Sequence, residues 1–397
     1  MFAIKMTAIE RRATVSLSII MGLRMLGLFM VLPLFSLYAS GLNGATPLLI
    51  GVAMGIYGLF QAIFQISFGA MSDRIGRKPA ILAGLIIFAI GSFLSAAATS
   101  INMMMMGRTL QGIGAIGSSS LALLADLTRE EQRTKAMMVV GITIGFSFSL
   151  AMLAGPLLSP WLGVQGLFNA AGWLALIAIL ILYTMVPKPL HSTWHSDTEP
   201  EYSSFIQLLF APELARLNVG IFILHAIFTA SFVVIPIAIH ELSGINAHDQ
   251  WQIYLPALLA ALTISAVALG NAERRKQVKR YFLQSILTIA ISMLILWLGN
   301  GSMATLIPGI GLFFAGFTLL EGLLPSLVSR TAPKAHKGSA MGIYSCAQYS
   351  GIFAGGVLGG WLYSQFHFSG VYLFCIGFAL LWFTLAFSMH EPRHPGK

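Results

Sequence analysis

The sequence is poor in charged residues, and this scarcity decides the class of protein first. Only 9% of the 397 residues are charged, whereas 57% are hydrophobic. A soluble domain has about 25% charged residues. This small number of charges cannot cover a surface that faces water. We therefore exclude a soluble domain and expect a chain embedded in a lipid bilayer.

Cysteine is also scarce, and motifs for phosphate or metal binding are missing. The two cysteines, Cys346 and Cys375, lie in apolar runs and indicate neither a disulfide framework nor a metal site. The sequence has no phosphate-binding loop and no nucleophile with a base in a soluble segment. We therefore expect no cofactor, no metal and no enzymatic activity. The energy source is expected to be an ion or substrate gradient rather than ATP.

Long apolar runs fill most of the chain. A membrane span needs about 20 apolar residues. The first run is too long for the core of a cleaved signal peptide, so it is predicted to be a span. Twelve spans predict an all-α membrane protein. Numbered from 1 to 12, they are 14–39, 48–70, 79–98, 102–126, 136–159, 166–187, 216–240, 251–271, 280–298, 302–324, 338–363 and 369–389.

Lysine and arginine are distributed very unevenly among the predicted loops. All but two of the 23 cations lie before span 1, after span 12 or in the loops that follow even-numbered spans. Cations of membrane proteins concentrate on the cytoplasmic side, so both termini are predicted to be cytoplasmic. The net charge of +9 therefore indicates membrane orientation rather than nucleic-acid binding.

The longest polar stretch, about Pro187 to Asn218, divides the chain into two halves of six spans. The expected domains are an N-terminal half at 1–187, a cytoplasmic linker at 188–215 and a C-terminal half at 216–397. The apolar patch Phe205–Phe210 within the linker is either a short helix on the membrane surface or plain linker.

The charged turn between spans 2 and 3 is the densest motif. It reads Gly69-Ala-Met-Ser72-Asp73-Arg74-Ile-Gly76-Arg77-Lys78. Its three cations indicate a cytoplasmic surface, and Gly69 and Gly76 are expected to permit a tight backbone. The pattern G-x-x-S-D-R-x-G-R-K resembles the loop between helices 2 and 3 of the major facilitator superfamily of transporters. The simpler alternative is an ordinary charged turn that anchors a hairpin.

Further strings extend this resemblance over essentially the whole chain. Arg108-Thr-Leu-Gln111-Gly-Ile-Gly114 resembles the helix 4 pattern of the family, and Gly141-x-x-x-Gly145 followed by Gly155-Pro156 resembles a helix 5 pattern of antiporters. Leu157-Leu-Ser159-Pro160 replaces the usual twin glycines, which weakens the antiporter inference. Pro156 is expected to kink helix 5 as part of a gate, although small residues also simply allow close packing.

The resemblance implies a major facilitator fold, with twelve transmembrane helices in two six-helix pseudo-repeats. It implies a monomeric transporter of the bacterial inner membrane that works by alternating access. Longer strings are similar to one member with a soluble domain after helix 12, which this chain, ending soon after Met389, is expected to lack.

The resemblance also implies a role for the charged turn. Asp73 is expected to bond Arg77, which in turn bonds Asp126, and to face the start of helix 11 near Gly338. Asp73 would then brace the cytoplasmic side of the outward-open state, and neutralising it would release that gate. Arg74 and Lys78 complete this candidate gating loop.

Ionisable residues inside predicted spans are costly, so each is a functional candidate. Glu321 is the one acid deep in a span and the first candidate for carrying protons, with Asp73 and His225 as alternatives. The structural alternative for Glu321 is a glutamate hydrogen-bonded between helices. Arg24 and Arg108 lie within spans 1 and 4. The resemblance places helices 1, 4, 7 and 10 around a central cavity, and Arg24, Arg108, His225 and Glu321 fall on those four.

Other polar residues within spans could line the same cavity, or could hydrogen-bond neighbouring helices together. These candidates are Gln111, Tyr57, Gln61, Gln65, Tyr344 and Gln348.

Three functions remain open. The first is a proton-coupled exporter, an antiporter of small organic compounds. The second is an importer or facilitator for an organic anion, because arginine binds carboxylate or phosphate with a two-point fork. The third is a non-transporting receptor or assembly partner on the same fold. The expected partners are a small-molecule substrate, protons and the lipid bilayer, but not nucleic acid.

Overall fold

A computed structural model describes residues 6–187, 207–299, 302–333 and 336–389. Within these ranges the chain is helical apart from short connections, a 3-10 turn at Ala247–Asp249 and an isolated bridge between Asn43 and Ser100. Most of the predicted linker, 188–206, lies outside the described residues. Of the patch Phe205–Phe210, residues 207–210 are helical.

Seven helices precede the linker. They are α1 (Ala8–Phe29), α2 (Leu32–Ala39), α3 (Pro47–Ile75), α4 (Arg77–Ala96), α5 (Ile101–Ile113), α6 (Gly117–Asp126) and α7 (Glu130–Thr184). Five long helices follow it. They are α8 (Pro212–Ser243), α9 (Trp251–Arg274), α10 (Val278–Leu298), α11 (Met303–Thr331) and α12 (Lys337–Phe387).

These helices account for all twelve predicted spans, although not one by one. Nine of the described helical stretches are long and apolar enough to cross a membrane. Two of the nine hold two spans each, because α7 turns at Gly163 (φ 64°, ψ 175°) and α12 turns at His367 (φ 52°, ψ −150°). Span 4 is broken into α5 and α6, of 13 and 10 residues, by the non-helical backbone of Gly114.

The turn between α3 and α4 is much shorter than the predicted ten residues. Helix α3 continues to Ile75 and α4 begins at Arg77, so Gly76 alone connects them, with a φ of 96° that favours glycine. The expectation that Gly69 also provides turn backbone is wrong, because Gly69 lies inside α3. The polar residues continue the helix, and Ser72 Oγ donates to the Gly69 carbonyl at 2.7 Å.

The described helices belong to two compact units. Unit 1 comprises Met1–Gly44 and Ile63–Asp197, and unit 2 comprises Ala45–Ala62 and Thr198–Lys397. The first part of α3 therefore groups with unit 2. The predicted domains at 1–187, 188–215 and 216–397 stay a prediction.

In unit 1, α1 packs on α7, and α4 packs on α5 and α7. The core between them is aliphatic and includes Leu17, Leu85 and Leu123, each fully buried. In unit 2, α8 packs on α12, and α11 packs on α9 and α10. The buried stripe of α8 and α11 is rich in phenylalanine.

Large apolar side chains also cover the exterior. On α7, Phe146, Trp161 and Leu180 are 67%, 78% and 62% exposed. Apolar surface on this scale is unfavourable in water and favourable in lipid. The exterior therefore agrees with an integral membrane protein.

Candidate gating and transport residues

Arg77 joins the charged turn to the end of α6. Its Nη1 pairs with Asp73 Oδ1 across the turn, and its Nε donates to Asp126 Oδ2 at 3.1 Å. Nη1 also donates to Ser72 Oγ at 2.7 Å. The structure thus brings Asp73, Arg77 and Asp126 into one chain of ion pairs within unit 1. The predicted proximity of Asp73 to Gly338 stays a prediction.

Two cations hold the end of α7. Lys78 Nζ donates to the carbonyls of Val186, at 2.6 Å, and Leu182, at 3.4 Å. Arg12 donates to the carbonyls of Met185 and Thr184, both at 2.7 Å. The last carbonyls of a helix have no partner within it, and cations near them also interact favourably with the helix dipole. Lys78 therefore connects the candidate gating loop to α7, whereas its neighbour in the motif, Arg74, is exposed.

Glu10 is a buried acid that the sequence interpretation missed. Its carboxylate accepts hydrogen bonds from the Thr7 amide at 2.7 Å and from Arg129, through the amide at 3.0 Å, Nε at 2.8 Å and Nη2 at 2.9 Å. The residue is 4% exposed. The available signal was Thr7-Ala-Ile-Glu10 before an apolar run, which is a capping box.

Arg24 is buried in unit 1, where it is 2% exposed. Its guanidinium lies 5.3 Å from the centre of the Phe88 ring, on α4. A cation over an aromatic face is stabilised by the ring quadrupole, most strongly where water is excluded. This contact allows a charge to remain inside the unit.

Arg108 is the second buried guanidinium, at 4% exposure. It lies 5.7 Å from the centre of the Phe35 ring, and its Nη1 donates to Gln111 Oε1 at 2.7 Å. Gln111 Nε2 in turn donates to Ser92 Oγ at 2.9 Å. Gln111 thus orients Arg108 and connects it to α4.

Glu321, His225 and Gln348 meet in the interior of unit 2. His225 Nε2 is 3.6 Å from Glu321 Oε1 and 2.9 Å from Gln348 Nε2. The side chain of His225 is 7% exposed, whereas that of Glu321 is 34% exposed. The structure therefore unites three of the predicted candidates, one each on α8, α11 and α12. Tyr344, one turn before Gln348 on α12, is buried.

The contacts of His225 fit a neutral imidazole with its hydrogen on Nδ1. Its Nδ1 is 3.3 Å from the Ile221 carbonyl, which can only accept, so Nδ1 carries a hydrogen. An amide nitrogen can only donate, so Gln348 donates to a bare Nε2. In this arrangement His225 is neutral, and Glu321 Oε1 faces Nε2 without a hydrogen bond.

The remaining candidates on α3 are buried. Tyr57, Gln61 and Gln65 are 3%, 0% and 8% exposed. Tyr57 and Gln61 belong to unit 2, whereas Gln65 belongs to unit 1, where its backbone carbonyl accepts from Ser118 Oγ at 2.8 Å. Their burial agrees equally with cavity lining and with hydrogen bonding between helices.

Gly155 allows the closest contact on α7. A Cβ built there would lie 1.8 Å from the carbonyl oxygen of Met30, between α1 and α2. A Cβ at Gly141 or Gly145 would meet no described atom within 4 Å. Close packing thus explains Gly155 but not the other two glycines. The predicted kink at Pro156 stays a prediction, because the non-helical residue inside α7 is Gly163.

The fold and these sites define a polytopic α-helical membrane protein with charged groups held inside each unit. The family model described as "Major Facilitator Superfamily" matches residues 17–356 and 323–397. The chain belongs to this family of membrane transporters, which are not enzymes.

The relatives agree with this assignment. The chain is 42% identical over 390 residues to the inner membrane transport protein YajR of Escherichia coli (strain K12), covering 98% of this chain and 86% of YajR. It is 24% identical over 348 residues to the multidrug resistance protein MdtH of Yersinia pestis (strain Pestoides F), covering 85% and 83% of the two chains. The membrane-spanning helices and the similarity to YajR support a bacterial inner membrane.

A solved structure shows the same fold. The crystal structure of a D-xylose-proton symporter superposes with a TM-score of 0.75 at 18% identity, covering 95% of this chain and 98% of the symporter. The twelve-helix interpretation of the sequence is consistent with this fold.

Proposed function

We propose that this transporter is a proton-coupled exporter, an antiporter of small organic compounds. The observation that carries the proposal is the approach of Glu321 to His225, at 3.6 Å, inside the membrane-spanning part of unit 2. Charged and titratable groups at this depth are costly and mark ion pathways. The similarity to MdtH, which is named a multidrug resistance protein, supports the export of organic compounds.

The geometry gives the two groups different tasks. The side chain of Glu321 is about one third exposed and that of His225 is buried, so we assign the exchange of protons to Glu321. Deprotonation of Glu321 leaves a negative charge beside the imidazole, and protonation removes that charge. The two states therefore differ in electrostatic energy, and any conformational change that alters the surroundings of Glu321 is coupled to its protonation.

The wider mechanism follows the alternating-access scheme. The two six-helix halves would rock about a site near the middle of the membrane, with both termini in the cytoplasm and the chain acting as a monomer. Buried Arg24 and Arg108 would set a positive potential in the substrate cavity. The chain of Asp73, Arg77 and Asp126 would act as the cytoplasmic gate.

The test is substrate-induced proton movement in proteoliposomes that contain a pH-sensitive dye, screened over a small library of organic compounds. Glu321→Gln keeps the shape of the side chain and removes its charge. Glu241→Gln, at an exposed acid near the end of α8, is the matched control. We expect compound-dependent proton flux in the wild type and in the control, and strongly reduced flux in Glu321→Gln.

Two results would contradict the proposal. Undiminished flux in Glu321→Gln would exclude Glu321 as the carrier and shift the role to Asp73, Asp126 or His225. Substrate movement without proton flux would exclude coupling altogether.

The second of these results would favour a facilitator for organic anions. The observation behind this second candidate is the pair of buried guanidinium groups, Arg24 over Phe88 and Arg108 over Phe35. Arginine suits carboxylate and phosphate recognition because its planar fork makes two parallel hydrogen bonds. Arg108→Lys would then weaken anion transport, because lysine keeps the charge but lacks the fork.

A further inference from the structure

Unit 2 contains a cavity of about 270 Å³ that none of the candidate transport residues lines. It lies where the ends of α8 and α10 meet the start of α11 and the turn inside α12. Its lining residues are Leu242, Leu296, Trp297, Leu306, His367, Phe368, Ser369 and Tyr372. The cavity is therefore distinct from the cluster around Glu321.

The lining combines four rings with a few hydrogen-bonding groups. Trp297, His367, Phe368 and Tyr372 supply the rings, and Tyr372 is 4% exposed. His367 and Ser369 are exposed and offer an imidazole and a hydroxyl. Among the residues that the structure describes, no lysine or arginine lines the cavity. Such a set of groups suits a ligand with aromatic carbon and an uncharged hydrogen-bonding group.

His367 has a backbone conformation that residues other than glycine rarely adopt. Its φ is 52° and its ψ is −150°. The corresponding turn inside α7, between spans 5 and 6, has a glycine in a similar conformation, Gly163 with φ 64° and ψ 175°. The two turns, each between the last two spans of a predicted half, thus have similar backbone conformations. Only the second turn carries a side chain at this position.

The comparison with Gly163 indicates that the turn itself does not require a histidine. Glycine would adopt the turn without strain, as it does at Gly163. Strained residues that persist tend to lie at functional sites, where their side chains are needed. The imidazole of His367 lines the cavity and is held edge-on to Tyr363, with ring centres 6.0 Å apart.

We propose that this cavity is a binding site for a small aromatic amphiphile, with one or two fused rings and one uncharged hydroxyl-like group. The rings would pack among Trp297, Phe368 and Tyr372, and the hydroxyl would bond His367 or Ser369. A dry cavity of about 150 Å³ accommodates benzene, so the larger volume here suits a two-ring compound. None of its lining residues belongs to the proposed proton-coupling or substrate-binding residues.

The test uses the full-length protein labelled with 5-fluorotryptophan in lipid nanodiscs and titrated with 2-naphthol. The chain has seven tryptophans, and Trp297→Phe identifies the fluorine resonance of the one in the cavity. Trp361, which is 46% exposed, is the internal control for partitioning into lipid. We expect the Trp297 resonance to shift in a saturable way and the Trp361 resonance to stay unchanged.

Three variants test whether the ligand occupies this cavity and contacts His367. Leu306→Phe fills the cavity and should abolish the shift, and Ser369→Leu is the second filling variant if the first does not fold. His367→Gly should weaken the affinity for 2-naphthol about tenfold or more, which corresponds to loss of one good contact. It should also leave the unfolding temperature unchanged or raise it, because glycine relieves the strained turn.

Other outcomes would overturn the proposal. Linear, unsaturable shifts of Trp297 and Trp361 together would mean partitioning into lipid only. An equal, saturable effect of n-octanol would show a cavity for acyl chains rather than for aromatic compounds. Unchanged binding in a folded filling variant would place the ligand elsewhere.

Discussion

At the residue scale, the cluster of His225, Glu321 and Gln348 carries the proposed chemistry. The amide of Gln348 occupies His225 Nε2, the atom that also faces Glu321. A proton on Nε2 would therefore have to displace the Gln348 amide before it could bond Glu321. The arrangements of the three side chains are therefore linked through His225.

This interdependence predicts that substitutions of His225 and Glu321 are not additive. We expect His225→Gln and Glu321→Gln each to lower proton-coupled exchange in proteoliposomes, and the double variant to be no slower than the slower single variant. Residues in one network show coupling energies of about 0.5–3 kcal/mol. A double-mutant cycle is calculated from the initial rates of exchange of the wild type, the two single variants and the double variant, each reconstituted in equal amount.

The matched cycle pairs His225→Gln with Glu241→Gln, whose carboxylate is exposed near the end of α8. That pair should be additive. Additive losses in the His225 and Glu321 cycle would mean that the two residues act separately.

At the element scale, the membrane spans and the turns between them illustrate what sequence reasoning could and could not recover. Hydropathy predicted the spans themselves, because each is a long apolar run. The extent of the turns was not predictable in this way. Ser72 and Asp73 are polar, yet they continue α3 because Ser72 bonds Gly69 and Asp73 pairs with Arg77.

The sites divide in the same way. Glu321, Arg24 and Arg108 were predictable, because an ionisable residue in an apolar run is conspicuous. The meeting of Glu321 and Gln348 at His225 was not, since it depends on how α11 and α12 pack against α8. Glu10 was missed because it precedes the first span, although its capping box was readable.

The glycines of α7 give a prediction at this scale. Gly155→Ala should destabilise the protein by about 1–3 kcal/mol, because its Cβ would meet the Met30 carbonyl at 1.8 Å and backbone would have to move. Gly141→Ala, on the same helix, adds a Cβ that would meet no described atom within 4 Å. It should be neutral or stabilising by up to about 1 kcal/mol, since alanine is the better helix former.

Thermal unfolding of the two variants in the same detergent checks this pair. The comparison removes the effects of detergent and of glycine replacement in general. Equal unfolding temperatures for the two variants would show that α7 does not need the close approach at Gly155.

At the scale of the whole molecule, transport requires that the cytoplasmic face open and close. The face of unit 1 that we expect to be cytoplasmic is held together by polar contacts, of Arg77 with Asp126, of Lys78 with the end of α7 and of Glu10 with Arg129. Such contacts favour movement of the unit as one body. The gate would then depend on groups that remain accessible at its surface, and the side chain of Asp73 is 54% exposed.

We therefore expect Asp73→Asn to change the conformational equilibrium more than the stability. An exposed ion pair contributes up to about 1 kcal/mol, so unfolding should change little. If Asp73 braces the closed cytoplasmic face near Gly338, its neutralisation should free that region. The measurement is the rate at which a membrane-impermeant maleimide labels Gly338→Cys, with Cys346→Ser in the same background and buried Cys375 left in place.

Labelling should be faster in Asp73→Asn than in the parent, and transport should be slower. Glu131→Gln, at an exposed acid in the first turn of α7, is the control that neutralises an acid outside the ion-pair chain, and it should match the parent. Unchanged labelling together with normal transport in Asp73→Asn would reject the gating role. The Asp73–Arg77–Asp126 chain would then be a structural brace of unit 1, because its ion pairs would still join α3 and α4 to the end of α6.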